Sequence, residues 1–286
     1  ESGVFYWIRI MILYKYMSFD DALLTLNNRT LAFSHLEDFN DPFECTTLGL
    51  YDHVISKRNS NEVLQQKFSR KYLITCLTKQ PLNPLMWAHY ADSHNGVVIG
   101  IDVNKAGLND ADKFIITADC GSVTYLSEEP KNLNRCTVEF LNNVENLTWG
   151  KDKEILKQAL LNKMHFWKYE EEVRIVKKIS PYISTYHIPR QRKYNFDGQV
   201  WQKITPGFKP IYILEINPDA FVDVTFGLGS YRKLRRSQEK ETNTWNPDNI
   251  EKLDRLYNLC RSLSLPVFKV DKDYDRWDLT RKNIDI

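Results

Sequence analysis

The chain has 286 residues, of which 42% are hydrophobic and 27% charged, enough to bury a substantial core as one large domain or two small ones. Thirty-nine Lys and Arg against 37 Asp and Glu leave a formal charge of +2, so no global field draws the chain to nucleic acid or an anionic membrane. Five cysteines without a Cys-x-x-Cys pair or a tight Cys/His cluster exclude a disulfide scaffold and a structural zinc site, and fit thiols in a reducing cytoplasm.

In chain order, residues 8–16 predict a first strand, and Asp20 opens a short helix that ends at Asn27-Asn28. The most apolar stretch, 4–16, is broken by Arg9 and Lys15, which suits a strand better than a secretion signal; Met11 is a candidate start. No apolar run approaches the roughly 20 residues needed to span a bilayer. A brief strand over 31–34 leads into Phe39-Asn40-Asp41-Pro42-Phe43-Glu44, where Asn and Asp can bond nearby amides and proline fixes its own φ. That combination predicts a rigid loop. Residues 61–71 are weakly helical and 72–77 alternate as a strand. Asn83 caps a helix with Pro84 at its first position, running to Ala91, and Asn95-Gly96 turns the chain into a strand over 97–103.

Residues 114–126 predict one or two strands interrupted near Cys120-Gly121. The main helical region spans about 134–168, as two helices broken near Thr148 to Gly150. Late strands follow over 173–176, 183–188, 211–216 and 222–226. A last long helix, capped by Asn246, begins at Pro247 and runs to about Leu263, with a strand over 267–270 behind it. The expected fold is one α+β domain over 1–286, with a mixed, largely antiparallel β core, a central helical insert at about 134–168 and a C-terminal helix.

The run Trp167-Lys168-Tyr169-Glu170-Glu171-Glu172-Val173-Arg174 is the richest candidate for chemistry. Period-two alternation puts Glu170, Glu172 and Arg174 on one face and Glu171, Val173 and Ile175 on the other. Such a run is either a solvated strand edge with a Glu172/Arg174 pair or a site at a buried boundary. In Met86 to Asp92, Tyr90 offers a flat ring with a polar tip for stacking on a ligand. His89 and His94, five apart, do not share a helical face and are not expected to bind metal. Tyr14 and Tyr16 share one face of the first strand, with Lys15 on the other. Basic residues cluster at Arg190, Arg192 and Lys193, and at Arg232, Lys233, Arg235 and Arg236; the second cluster is the candidate nucleic-acid contact. Gly227-Leu228-Gly229 lacks the third spaced glycine of a dinucleotide fingerprint.

Taken together, Leu13-Tyr14-Lys15-Tyr16, a Leu-x-Phe-Ser strand, Phe39 to Glu44, Met86 to Ala91 with its Gly-Val-x-Ile-Gly strand, and Trp-x-Tyr-Glu-x-Glu-x-Arg resemble a bacterial family of unknown function. Their layout is in turn similar to ADP-ribosyltransferase toxins: an opening strand ending in a polar ligand-binding residue, a middle aromatic, and a late strand bearing glutamate. The resemblance implies an ADP-ribosyltransferase-like fold and an NAD-dependent transferase or NAD glycohydrolase without a metal. Such an enzyme would be a cytoplasmic toxin or phage-defence effector that modifies nucleic acid or protein, with an antitoxin protein as a further partner. Glu172, or failing that Glu170, would be the catalytic carboxylate; Lys15, Tyr16, Asn40, Asp41, Tyr90 and Arg174 would surround NAD. Lys15 and Tyr16 depart from the family pattern, which places a histidine or arginine there. The alternative is a non-enzymatic module that binds nucleic acid or protein through its aromatic and basic surface.

Overall fold

A computed structural model describes residues 10–44, 70–128, 143, 146–148, 150–179, 192–206, 209–230 and 247–284. In chain order the described elements begin with β1 (Ile12–Met17), α1 (Phe19–Asn28), β2 (Thr30–Phe33), β3 (Tyr72–Thr78), α2 (Pro84–Tyr90) and β4 (Val97–Asp102). There follow β5 (Thr124–Leu126), α3 (Lys153–Leu160), β6 (Asn162–Met164), β7 (Glu172–Lys178), β8 (Lys193–Phe196), β9 (Gln199–Ile204) and β10 (Ile211–Glu215). The last are β11 (Phe221–Phe226), α4 (Pro247–Ser262), β12 (Val267–Asp273) and β13 (Asp278–Asn283). The fold is mixed α+β with largely antiparallel pairing. By contacts it divides into two compact units: Glu1–Leu23 with Lys79–Leu108 and Asn217–Ile286, and Leu24–Thr78 with Asn109–Ile216.

In the first unit the strands lie in the order β13-β12-β11-β4-β1, so strands from both ends of the chain share a sheet, as expected from sequence. Every pair there is antiparallel except β11 with β12, whose connection contains α4. A parallel pair needs such a crossover because the chain must return to the strand's starting end. β4 is buried along its whole length, and its near-continuous apolar sequence is what a central strand covered on both faces requires.

The cap of α2 forms as its sequence dictates. Asn83 Oδ1 accepts from the amides of Leu85 and Met86 at 2.9 and 3.2 Å, and Pro84 occupies the first turn. The helix buries Met86 and Trp87 and leaves His89 exposed. The turn after it is built differently from the Asn95-Gly96 turn predicted: Asp92, Ser93 and His94 all have left-handed φ, at 47, 51 and 67°. Gly96 serves close approach instead, since a Cβ there would meet the carbonyl oxygen of Met17 at 2.3 Å.

The second unit contains the antiparallel sheet β2-β10-β9-β8, the antiparallel pair β3/β7 and the short parallel pair β5/β6. Its core gathers Leu36, Tyr72, Ile74, Leu156, Leu160 and Val176, with α3 contributing the leucines at 156 and 160. Phe33 lies between Phe114, stacked at 6.1 Å, and Trp201, edge-on at 5.1 Å. Four strands escaped the sequence reading: β6, β8, β9 and β13. The β8/β9 hairpin carries a legible signal, because Asp197 and Gly198 have φ of 49 and 69° and Asp-Gly favours such two-residue turns.

The helical region expected over 134–168 is different in its described part. The helix there is α3, which stops at Leu160; residues 162–164 form β6 and His165–Glu170 a 3-10 helix. Lys163 alternates with its neighbours as a strand residue with a partner in β5, and that pairing is a tertiary constraint the local spacing does not contain. Within 114–126 the described structure has bridges at Ile116 and Ser122 and the strand β5. The readings over 61–69, 183–188 and 231–236 fall outside the described residues, as do the cap at Asn246 and the cysteines at 45 and 136. Cys76, Cys120 and Cys260 are not joined in disulfides.

Candidate functional site

The charged run expected to supply the site lies in the second unit, with Glu170, Glu172, Val173 and Arg174 buried and Lys168 and Glu171 exposed. Glu170 ends the 3-10 helix His165–Glu170, and Glu171 follows in the left-handed conformation with φ 40° and ψ 49°. β7 begins at the next residue, Glu172. Glu170 and Glu172 therefore converge from two different elements rather than by alternation along one strand. The grouping read from sequence holds, with a different cause. Glu171 is exposed, while Val173 and Ile175 on the other face of β7 are buried.

Arg174 is fully buried and all five of its N–H donors are used. Nε donates to Glu172 Oε1 at 2.9 Å, and Nη2 donates to Glu172 Oε2 at 3.2 Å and Glu44 Oε1 at 2.6 Å. Nη1 donates to Glu44 Oε2 at 2.9 Å and to the Leu160 carbonyl at 2.8 Å. The ring of Phe39 lies 5.3 Å from the guanidinium carbon. Lys163 closes the cluster: its ammonium reaches Glu170 Oε2 at 2.6 Å and Glu172 Oε2 at 3.2 Å, and sits 4.7 Å from the Trp167 ring centre. Thr78 Oγ1 donates to the Glu170 carbonyl, and the Glu172 amide donates to the Tyr125 hydroxyl at 2.8 Å. A solvated strand edge is excluded by this burial.

Electrostatics follow from the geometry. Burial acts to raise the Glu172 carboxyl, but Arg174 and Lys163 outweigh it and hold the group down at about 2. Burial pushes the Glu44 carboxyl up against the pull of Arg174. Burial would lower Lys163, yet Glu172 and Glu170 raise it above its usual value, so its amine stays protonated. Glu172 is thus a fixed anion and Lys163 a fixed cation at physiological pH, and neither is suited to shuttle protons or to attack as a free base. Because the folded pKa of Glu172 lies below its ordinary 4.5, its stabilising contribution is complete above that value and is lost as pH falls toward 2. The span corresponds to about 3 kcal/mol. Urea titrations between pH 6 and 2.5 are expected to show this acid loss in the native protein and to show it reduced in Glu172→Gln. Equal slopes for the two proteins would contradict the assignment.

The other residues singled out by sequence are distributed as follows. Asp41 is buried and performs turn chemistry: Oδ1 accepts from the Phe43 amide at 2.9 Å, and its carbonyl accepts from the Glu44 amide. Asn40, beside it, is exposed. The loop's contribution to the charged cluster is Phe39 and Glu44. Lys15, Tyr16 and Tyr90 belong to the first unit. Tyr16 is buried; its hydroxyl donates to the Gln80 carbonyl at 2.7 Å and accepts from the Asn83 amide at 3.2 Å, and its ring meets Trp87 edge-on at 5.3 Å. It locks the turn that leads into α2. Tyr90 and Lys15 are half-buried. Arg232, Lys233, Arg235 and Arg236 lie outside the described residues; Lys193, of the first basic group, pairs with Glu215. Among the described residues no group of three or more His, Cys, Asp or Glu is arranged to hold a metal ion. No described helix is long and apolar enough to cross a membrane.

Sequence reasoning missed Glu44, Lys163 and Tyr125. Glu44 stands in the loop motif already singled out, and a buried arginine two residues past Glu172 is a signal that a second carboxylate is needed. Lys163 and Tyr125 have no local signature.

A family model described as a protein of unknown function (DUF2971) matches residues 86–175, from the first turn of α2 to the residue after Arg174. The matched segment thus contains most of α2, all of β4 and the run from Trp167 to Arg174, and is less than half of the chain. No curated protein and no solved structure matches the chain.

Proposed function

We propose that the chain is an ADP-ribosyltransferase-like enzyme that consumes NAD, a toxin or phage-defence effector that modifies a nucleic acid or a protein. One observation carries the reading: a strand-borne glutamate, Glu172, lies beside a second one, Glu170, and the two are ion-paired to Lys163 and Arg174 in a buried framework. In such a reaction the bond between ribose C1′ and the nicotinamide nitrogen breaks and its electron pair leaves with nicotinamide. The acceptor's lone pair then bonds to C1′, and the acceptor's proton passes to solvent. Between the two events C1′ carries positive charge, and a fixed anion close to it stabilises that state without any change in its own protonation.

The test is nicotinamide release from NAD, followed by chromatography with purified protein, alone and with cell extract. Glu172→Gln is expected to slow release by about a hundredfold or more. The exposed Glu171→Gln should leave it unchanged. Because Glu172 also stabilises the fold, circular dichroism at the assay temperature accompanies each variant. A folded Glu172→Gln protein with the native rate, or no release under any condition with the native protein, overturns the proposal.

A further inference from the structure

The two most exposed large hydrophobic side chains among the described residues stand on one turn. Tyr274 is 77% and Trp277 94% exposed, and both lie in the turn that joins β12 to β13. β13 is the outermost strand of the first unit's sheet, so the turn caps an edge hairpin. Tryptophan is highly buried on average, and a nearly bare one needs a reason.

The backbone gives a second, independent sign. Trp277 has φ 55°, a left-handed conformation in which a bulky residue is an outlier and asparagine or glycine is at ease. Strain of this kind persists only where the surrounding structure enforces it, and it gathers at sites of function. The enforcement is visible. Asp273 Oδ1 accepts from the amides of Asp275 and Arg276, each at 3.1 Å, and Asp278 Oδ1 accepts from the Leu279 amide at 2.7 Å. Asp273 and Asp278 pair across the strands directly beneath the turn. At its exposure the Trp277 ring contributes almost no burial to the fold, so the strain is not offset by packing within the first unit.

The chemistry of the tip narrows the partner. Residues 273–278 carry three aspartates and one arginine, and are net negative. That charge disfavours a phosphate backbone and an anionic bilayer, and suits a surface bearing lysine or arginine. Arg276 is 83% exposed and reaches Asp273 only at 3.8 Å, a loose surface pairing. Tryptophan, tyrosine and arginine are the residue types that dominate binding energy where proteins meet, and all three stand here within four positions. A turn fixed in advance also loses little conformational entropy on docking.

We propose that the β12/β13 turn is a protein-docking anchor: Trp277 fills an apolar pocket on a partner protein, Tyr274 packs beside it, and basic residues at the rim of that pocket meet Asp275 and Asp278. The anchor lies in the first unit and shares no residue with the cluster around Arg174, so it stands or falls independently of NAD cleavage.

The test begins with the full chain in which Tyr274 is replaced by the photo-cross-linking residue p-benzoylphenylalanine. It is irradiated in an extract of the cells that make it, and the cross-linked protein is identified by mass spectrometry and purified. Calorimetric titration then compares its binding to the native chain, Trp277→Asn and Asp275→Lys. Trp277→Asn is expected to weaken binding about thirtyfold or more, and Asp275→Lys about fivefold or more. Trp277→Asn should melt no lower than the native chain, since asparagine accepts the left-handed conformation more readily. Oligothymidine and phosphatidylglycerol vesicles are the probes for the other classes of partner, and neither should bind through Trp277. The proposal is overturned if no protein cross-links, or if the purified partner binds either variant as tightly as the native chain. It is equally overturned if Trp277→Asn melts below the native chain, or if oligothymidine or the vesicles bind the native chain and lose that binding in Trp277→Asn.

Discussion

Arg174→Met is expected to destabilise the protein by about 3–5 kcal/mol, read as a large fall in the urea midpoint without a matching change in slope. The cause is asymmetric. The variant removes one buried cation and leaves two buried carboxylates, Glu44 and Glu172, which that cation held through four of its five hydrogen bonds. The fifth donor had satisfied the Leu160 carbonyl at the end of α3, so the variant also uncouples that helix from β7. Arg174→Lys retains the charge but is expected to recover only part of the loss, since a compact ammonium with three donors cannot span two carboxylates and a carbonyl as the planar guanidinium does. A midpoint for Arg174→Met close to the native value would show that the cluster contributes nothing to the fold.

Gly121→Ala is expected to cost about 3 kcal/mol or more. A Cβ at this position would lie 2.0 Å from the carbonyl oxygen of Arg174 and 2.9 Å from that of Thr117. Both are backbone atoms, so no side chain can turn aside to make room. The same stretch binds β7 directly: the Arg174 amide donates to the Gly121 carbonyl at 2.8 Å, and the Val123 amide donates to the Glu172 carbonyl at 3.0 Å. Moving it away would loosen the strand that carries the charged cluster. Gly150→Ala is the control, because nothing lies within 4 Å of a Cβ there, and its effect should stay within about 0.5 kcal/mol. Thermal or urea melts of the two variants side by side would refute the argument if their midpoints agree.

Where local chemistry decides a feature, the sequence was readable. Asn83-Pro84 predicted the start of α2, and Asn-Asp-Pro predicted a tight loop whose Asp41 bonds the Phe43 amide. The face shared by Glu170, Glu172 and Arg174 was also anticipated, although alternation was the wrong reason for Glu170. The left-handed Glu171 produces the same convergence from a 3-10 helix, and nothing in a run of three glutamates announces that conformation. The hairpin at Asp197-Gly198 could have been found from its dipeptide alone.

Lys163 marks the limit. Helical spacing of apolar residues continues past α3, so the chain around Asn162 to Met164 reads as helix when considered locally. Pairing with Thr124–Leu126 makes it a strand instead and delivers the ammonium to Glu170 and Glu172. Likewise, 130 residues separate Glu44 from Arg174, and only folding brings the two together.

The sequence by itself determined the α+β class, the cap of α2 and the shared face of Glu170, Glu172 and Arg174, because local chemistry and spacing carry each of them. Tertiary structure decided that Glu170, Glu172 and Arg174 of that run join Glu44 and Lys163 in a buried five-residue ionic cluster. Burial and long-range pairing set this outcome, and neither is encoded in the spacing of neighbouring residues.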